Sequence, residues 1–176
     1  MADPAVALRP VTEDDLAMLR RFLTEPGLIG LDWAGFRDAG KIDRRFATDG
    51  YLSDDETWLM VSVDDDGTAG GFVSYRKGQF GAAGPYYEIG ISLLPEWRGR
   101  GIGWRAQAML CDYLFAHTPV QRIQAGTHPE NLAEQRSLVK AGFTLEGVIR
   151  ACEFRAGQWR DGYLYSRLRD DPSPSR

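Results

Sequence analysis

Between Tyr86 and Gly103 the chain reads YYEIGISLLPEWRGRGIG, a stretch dense in residues that can do chemistry. Arg98-Gly99-Arg100-Gly101-Ile102-Gly103 places glycine at every second position and arginine at two. Glycine reaches backbone conformations closed to other residues and leaves main-chain N–H groups uncovered. Aimed outward from the start of a helix and flanked by arginines, such groups make a site for a phosphate or diphosphate. Just ahead of the loop stand Tyr87 and Glu88, a phenol and a carboxylate. Burial on a strand would raise the pKa of Glu88 and suit it to accept a proton. Being adjacent, Tyr87 and Glu88 point to opposite faces, so at most one looks into a common site. A strand-edge carboxylate paired with an arginine is an equally simple account of Glu88.

These residues need a strand, a turn and a helix to position them. Ile89, Ile91 and Leu93 alternate with smaller or polar residues, and Pro95 denies the sheet a donor and ends the strand. The helix after the loop carries Ile102, Ala106, Met109, Leu110, Tyr113 and Leu114 on one face and stops at His117-Thr118-Pro119. The glycine spacing GxGxG, with a proline and a tryptophan after the strand, does not fit the dinucleotide fingerprint, so a nicotinamide-dependent oxidoreductase is disfavoured. The phosphate loop of nucleotide hydrolases needs GK followed by Ser or Thr, which is absent.

Elsewhere the pattern predicts a strand over residues 5–11, a capped helix from Thr12 to Glu25-Pro26-Gly27, and a second helix over 34–47. Strands are expected at 57–63 and 71–75, joined by Asp64-Asp65-Asp66-Gly67, which reads as a hairpin turn and not a calcium loop. Residues 77–85, with three glycines, read as a flexible link. A strand over 120–127, a helix over 131–141 and strands over 145–154 and 159–168 complete the chain, leaving 170–176 as a polar tail expected to be disordered. Residues 1–169 are expected to form one domain. Leu28, Ile29, Leu31, Trp33 and Phe36 are more apolar than a connection needs and read as core or as the lining of a substrate site. Trp33, Phe36, Tyr51, Trp159 and Tyr163 are open to the same two readings.

Composition narrows the partners. Of 176 residues 43% are hydrophobic and 26% charged, as in an ordinary globular protein, and no apolar run reaches the length of a membrane span. MADPAVALRP shows no secretory pattern, and Cys111 and Cys152 stand far apart without a CxxC, so a cytoplasmic protein without disulfide or zinc is expected. A net charge of −4 gives no footprint for nucleic acid and slightly favours amines. His117 and His128 have no second ligand at metal spacing and read as helix-end or loop residues.

RxxGxG at Arg98, Gly101 and Gly103, behind a strand ending Leu-Leu-Pro, resembles the acetyl-CoA signature of the GNAT superfamily of N-acetyltransferases. Asn131 to Arg150, NLAEQRSLVKAGFTLEGVIR, and Glu153 to Leu168, EFRAGQWRDGYLYSRL, are similar to its RimJ/RimL-like branch, which acetylates ribosomal-protein N-termini and other amines. The resemblance covers roughly residues 86–168. It implies an α/β fold with a mixed, mainly antiparallel sheet flanked by helices, whose central strands at 88–94 and 122–127 run parallel and splay apart.

It also implies acetyl-CoA as co-substrate, no metal, and direct attack by a primary amine, on a small molecule or a peptide N-terminus, in a monomer or homodimer. Backbone amides of Ile91, Ser92 and Leu93 would hold the thioester and pantetheine, with the Leu93 N–H on the developing oxyanion. The diphosphate would lie on Arg98, Gly99, Arg100, Gly101, Ile102 and Gly103. Asn131 would bind the pantetheine arm, or cap a helix with Glu134, or both. Glu88 is the first choice of base, with Tyr87 beside it. The chain departs from the family where the leaving thiolate is protonated: Glu134 stands in place of a serine and Leu138 in place of a tyrosine. Glu134 with a raised pKa, Tyr163 or Tyr87, or water would then supply the proton. The departure also leaves open a non-catalytic acyl-CoA-binding or regulatory domain.

Overall fold

The computed structural model describes residues 4–33, 35–64 and 66–174. Strand β1 (Val6–Pro10) leads into a turn of 3-10 helix (Glu13–Asp15) and helix α1 (Leu16–Thr24). The Asp15 carboxylate takes the Thr12 N–H and hydroxyl, each at 2.8 Å, together with the Arg9 guanidinium, so the anticipated cap is present and anchored to β1. Helix α2 (Pro26–Ile29), a further 3-10 turn (Gly30–Asp32) and helix α3 (Gly40–Asp49) follow. The helix expected from residue 34 starts later, and Ala34 itself lies outside the described residues. Gly35 at φ 100° cannot continue a right-handed helix, whereas the Asp38 carboxylate receives the Gly40 N–H at 2.9 Å and sets the true start.

Strands β2 (Glu56–Val63), β3 (Thr68–Phe80) and β4 (Gly84–Leu93) form a meander. Asp65 of the intervening acidic turn is outside the described residues. The stretch expected to be a flexible link is instead the end of a long β3–β4 hairpin that turns at Gly81. Its glycines make room: a Cβ at Gly78 would lie 2.3 Å from the Tyr86 ring, which crosses the ladder to pack against Phe80. A 3-10 turn (Pro95–Trp97), helix α4 (Ile102–His117), strand β5 (Arg122–Thr127), helix α5 (Leu132–Lys140), and strands β6 (Thr144–Arg155) and β7 (Gln158–Leu168) complete the chain. The tail is laid down as far as Pro174: Asp171 accepts the Leu168 N–H at 2.7 Å, and Pro174 lies against Gly142.

One seven-stranded sheet runs β1-β2-β3-β4-β5-β7-β6, antiparallel throughout except between β4 and β5. Alternate residues of β2 feed two cores: Val61 and Val63 pack toward Ile102, Leu110 and Leu114 of α4, while Met60 joins Leu19, Phe22 and Ile42 of α1 and α3. The fold is the expected mixed, mainly antiparallel α/β arrangement. Among the described residues no helix is long and apolar enough to cross a membrane.

Candidate active site

The parallel ladder between β4 and β5 holds for three pairs, ending at Glu88↔Gln124, although both strands continue. Beyond that point the strands part. The Leu94 N–H goes to Gly70 at 2.9 Å, and the Ser92 carbonyl faces Gly71, so alternate peptide groups of β4 are spent on β3. By the two-residue period of the pleat, Ile91 and Leu93 turn their N–H groups the other way, into the gap. An unpaired strand margin of this kind is a row of donors for an extended ligand.

The glycine loop closes one end of the gap. Gly99 and Gly101 have φ of 73° and 72°, and Gly101 is the N-cap of the 16-residue α4, whose first N–H groups need partners. A Cβ at Gly99 would meet nothing, so that face of the loop is open. At Gly103 a Cβ would come within 3.2 Å of Ser137 Oγ, which explains the third glycine as a close approach of α4 to α5. The Ile102 side chain is fully buried in the core, so its contribution to a ligand is its N–H. Arg100 is exposed with its guanidinium over the Trp97 ring. Arg98 is engaged otherwise than the sequence suggests: its guanidinium donates to the Leu93 carbonyl at 2.9 Å and to the Leu28 carbonyl, and its N–H to Pro95. A positive, bare-backbone cradle at a helix N-terminus, next to a strand with free donors, fits a diphosphate with an amide-bearing arm.

Glu88 lies on the face of β4 turned toward α1–α3 and is bound by Arg76 at 2.6 Å, with Gln124 at 3.4 Å. It lines a groove of about 160 Å³ with Glu56, Ser74 and Arg76. Tyr87 faces the other side of the sheet, packed edge-on against Tyr75 in the α4 core. Asn131 is the N-cap of α5, accepting the Glu134 N–H at 3.2 Å. Glu134 turns inward to the fully buried Gln107 of α4, whose other amide atom accepts from Ser137 Oγ at 2.9 Å. Burial, reinforced by the charge of Asp32 and opposed by the Gln107 hydrogen bond, pushes the Glu134 carboxyl up to about 7. Leu138 is buried core. Burial drives the Cys111 thiol up to about 12, so it is chemically quiet.

A cleft of about 300 Å³ opens between the sheet and the α1–α2 region, with Phe22, Trp33, Trp58, Phe72, Asp32 and Ser92 among its walls. Trp33 therefore lines the cleft, while Tyr51 is buried core and Trp159 is exposed on the β6–β7 hairpin against Phe154. His128, read from sequence as an ordinary loop residue, occupies a central place. It follows β5 directly, is 8% exposed, and lies between Asp32 (Nε2 to Oδ1, 2.7 Å) and Glu153 (Nδ1 to Oε2, 3.3 Å). It thus ties the Gly30–Asp32 turn to β6. His117 is a helix-end residue whose ring lies tilted against that of Tyr113, 4.8 Å between centroids.

A parted pair of parallel strands with a glycine cradle beyond them defines an acyl-CoA transferase class of fold, and comparison with known proteins agrees. A family model for the acetyltransferase (GNAT) domain matches residues 6–144, and the chain belongs to that family, whose members use acetyl-CoA. It is similar to the uncharacterized N-acetyltransferase YnaD of Bacillus subtilis, 29% identical over 116 residues, covering 66% of each chain. It is 30% identical over 88 residues to the ribosomal protein uS5-alanine N-acetyltransferase of Escherichia coli, covering 50% of this chain and 45% of that one. The latter match is to the RimJ/RimL-like branch. The chain thus spans two thirds or less of the length of these relatives. A spermidine N-acetyltransferase from Vibrio cholerae, solved with CoA and spermine, shares the fold with a TM-score of 0.81 at 17% identity, covering 94% of this chain and 96% of that one.

Proposed function

We propose that the protein transfers an acetyl group from acetyl-CoA to a primary amine within a ternary complex. The parting of β4 from β5 beside the Gly99–Gly103 cradle is the observation that carries this assignment. The co-substrate supplies an activated thioester. The N–H groups of Gly99 to Gly103 hold its diphosphate, the Ile91 and Leu93 N–H groups align the arm, and Leu93 N–H meets the oxyanion. Ser92 faces the acceptor cleft, and the side-chain amide of Asn131 reaches the arm. The amine nitrogen forms a bond to the acetyl carbon and the carbon–sulfur bond breaks; counted from the ammonium form, nitrogen gives up two protons, one balanced by the proton the sulfur gains and one released to solvent through the base.

The incoming amine is largely protonated at neutral pH and needs a proton acceptor. Glu88 takes this part through water along the groove it shares with Ser74, and Glu134 returns a proton to the thiolate. Tyr87 supports the strand from the opposite face. Asp32, held by His128 on the cleft wall itself, favours a second assignment for the base. Glu88 sits four residues down the strand from Ser92, about 13 Å at the usual rise. A Glu88→Gln variant that keeps its turnover while His128→Gln loses tenfold or more would move the role to the Asp32–His128 pair.

The transfer itself is tested by mixing the protein with acetyl-CoA and a panel of amines and following free CoA thiol. Amine-dependent release is expected. Gly101→Val should weaken CoA at least tenfold, because a branched side chain at φ 72° is strained and covers the cradle. Tight CoA binding with no release by any amine would favour a non-catalytic acyl-CoA-binding domain.

A further inference from the structure

The acceptor cleft is walled mainly by rings and branched chains: Phe22, Leu23, Ile29, Trp33, Trp58 and Phe72. At about 300 Å³ it suits a compact ligand. Two charged side chains interrupt the apolar wall, Asp32 and Arg37. Asp32 is fixed through His128 on the side of the gap between the parted strands. Arg37 is exposed at the rim, and among the described residues it forms no ion pair; its neighbour Asp38 is paired with Arg44.

A linear polycation would set several ammonium groups against rings and an arginine with a single carboxylate to meet them. The rings can take an ammonium face-on, but the further ammonium groups are left without a carboxylate and Arg37 opposes them by like charge. An amine that also carries an acid does the reverse. Its ammonium meets Asp32, its apolar body lies among Trp33, Trp58 and Phe72, and its carboxylate finds the uncommitted guanidinium of Arg37, a charge-assisted contact. We propose that the acceptor is a compact primary amine with an aromatic or branched apolar body and a carboxylate of its own, bound between Asp32 and Arg37; this rests on the acetyl-transfer assignment above.

Matched pairs test it. L-phenylalanine is compared with phenethylamine, and 4-(aminomethyl)benzoate with benzylamine, in the CoA-release assay, alongside spermidine and an alanine-initiated peptide. At least one acid-bearing member should show a KM tenfold or more below that of its partner. Arg37→Gln should erase that gap by raising the KM of the acid-bearing amine while leaving its partner's unchanged. Equal KM values within both pairs, a gap that survives Arg37→Gln, or a tenfold higher kcat/KM for spermidine or the peptide would overturn the proposal. A binding readout separates it from the reaction: saturable quenching of tryptophan fluorescence by the acid-bearing amines, reduced in Trp33→Phe and weakened in Arg37→Gln. Such quenching without any CoA release would keep the pocket assignment and remove acetyl transfer. Release without preference would do the opposite.

Discussion

Replacing Glu134 by glutamine is expected to stabilise the protein at alkaline pH and to slow the enzyme. The carboxyl is raised from 4.5 to about 7, chiefly by burial. Below pH 4.5 it is neutral in folded and unfolded chains alike and costs nothing. Between pH 4.5 and 7 the unfolded chain ionises first and holds fewer protons, so stability falls as pH rises; above 7 the cost is constant. The full shift corresponds to about 3 kcal/mol, and water at the half-buried mouth lowers it to about 2 kcal/mol. Glutamine carries no charge at any pH, so urea unfolding at pH 8 should show the variant more stable by about that amount, with no difference at pH 4. Turnover should drop on the order of 10²-fold near pH 6, where the native carboxyl is protonated. The fall in kcat above pH 7 should disappear in the variant. Unchanged turnover together with an unchanged pH profile would remove Glu134 from the chemistry.

The second large effect is expected from Gly71→Ala, on β3. A Cβ there would lie 2.1 Å from the Ser92 carbonyl oxygen and 2.8 Å from Leu93 Cα, both main-chain atoms that no rotamer change can clear. The β4 backbone must therefore move, at a cost of about 3 kcal/mol, read as a lowered urea midpoint. The displaced peptide is the one whose N–H is assigned to the oxyanion, so kcat should fall at least tenfold even where the variant is fully folded. A variant with native midpoint and native kcat would mean that β3 and β4 do not meet in this register.

Local chemistry was the part of the site that a reader of the sequence could see. Pro95 and the alternating glycines mark where a strand gives way to a helix, and Asn131 with Glu134 marks the start of α5, because caps and breakers act within a few residues. The glycines of residues 77–85 misled, since glycine serves looseness and tight ring packing alike, and only Tyr86 lying across Gly78 decides between them. The sequence offers Glu134 as a candidate acid, yet its inward turn to Gln107 depends on how α4 meets α5. The sequence hides the place of His128, because its partners stand 96 residues before it and 25 after it, a pairing that no spacing rule encodes. The cleft was likewise hidden: Trp33 and Trp58 look alike as core residues until the sheet brings them to one wall.

Arg98 has one more consequence. Its single guanidinium clasps the carbonyl of Leu93, at the end of β4, and that of Leu28, next to the cleft-lining Ile29. The end of β4 and the cleft wall therefore share a strut. A change that loosens the glycine turn should therefore be felt at the cleft wall as well, because one side chain braces both.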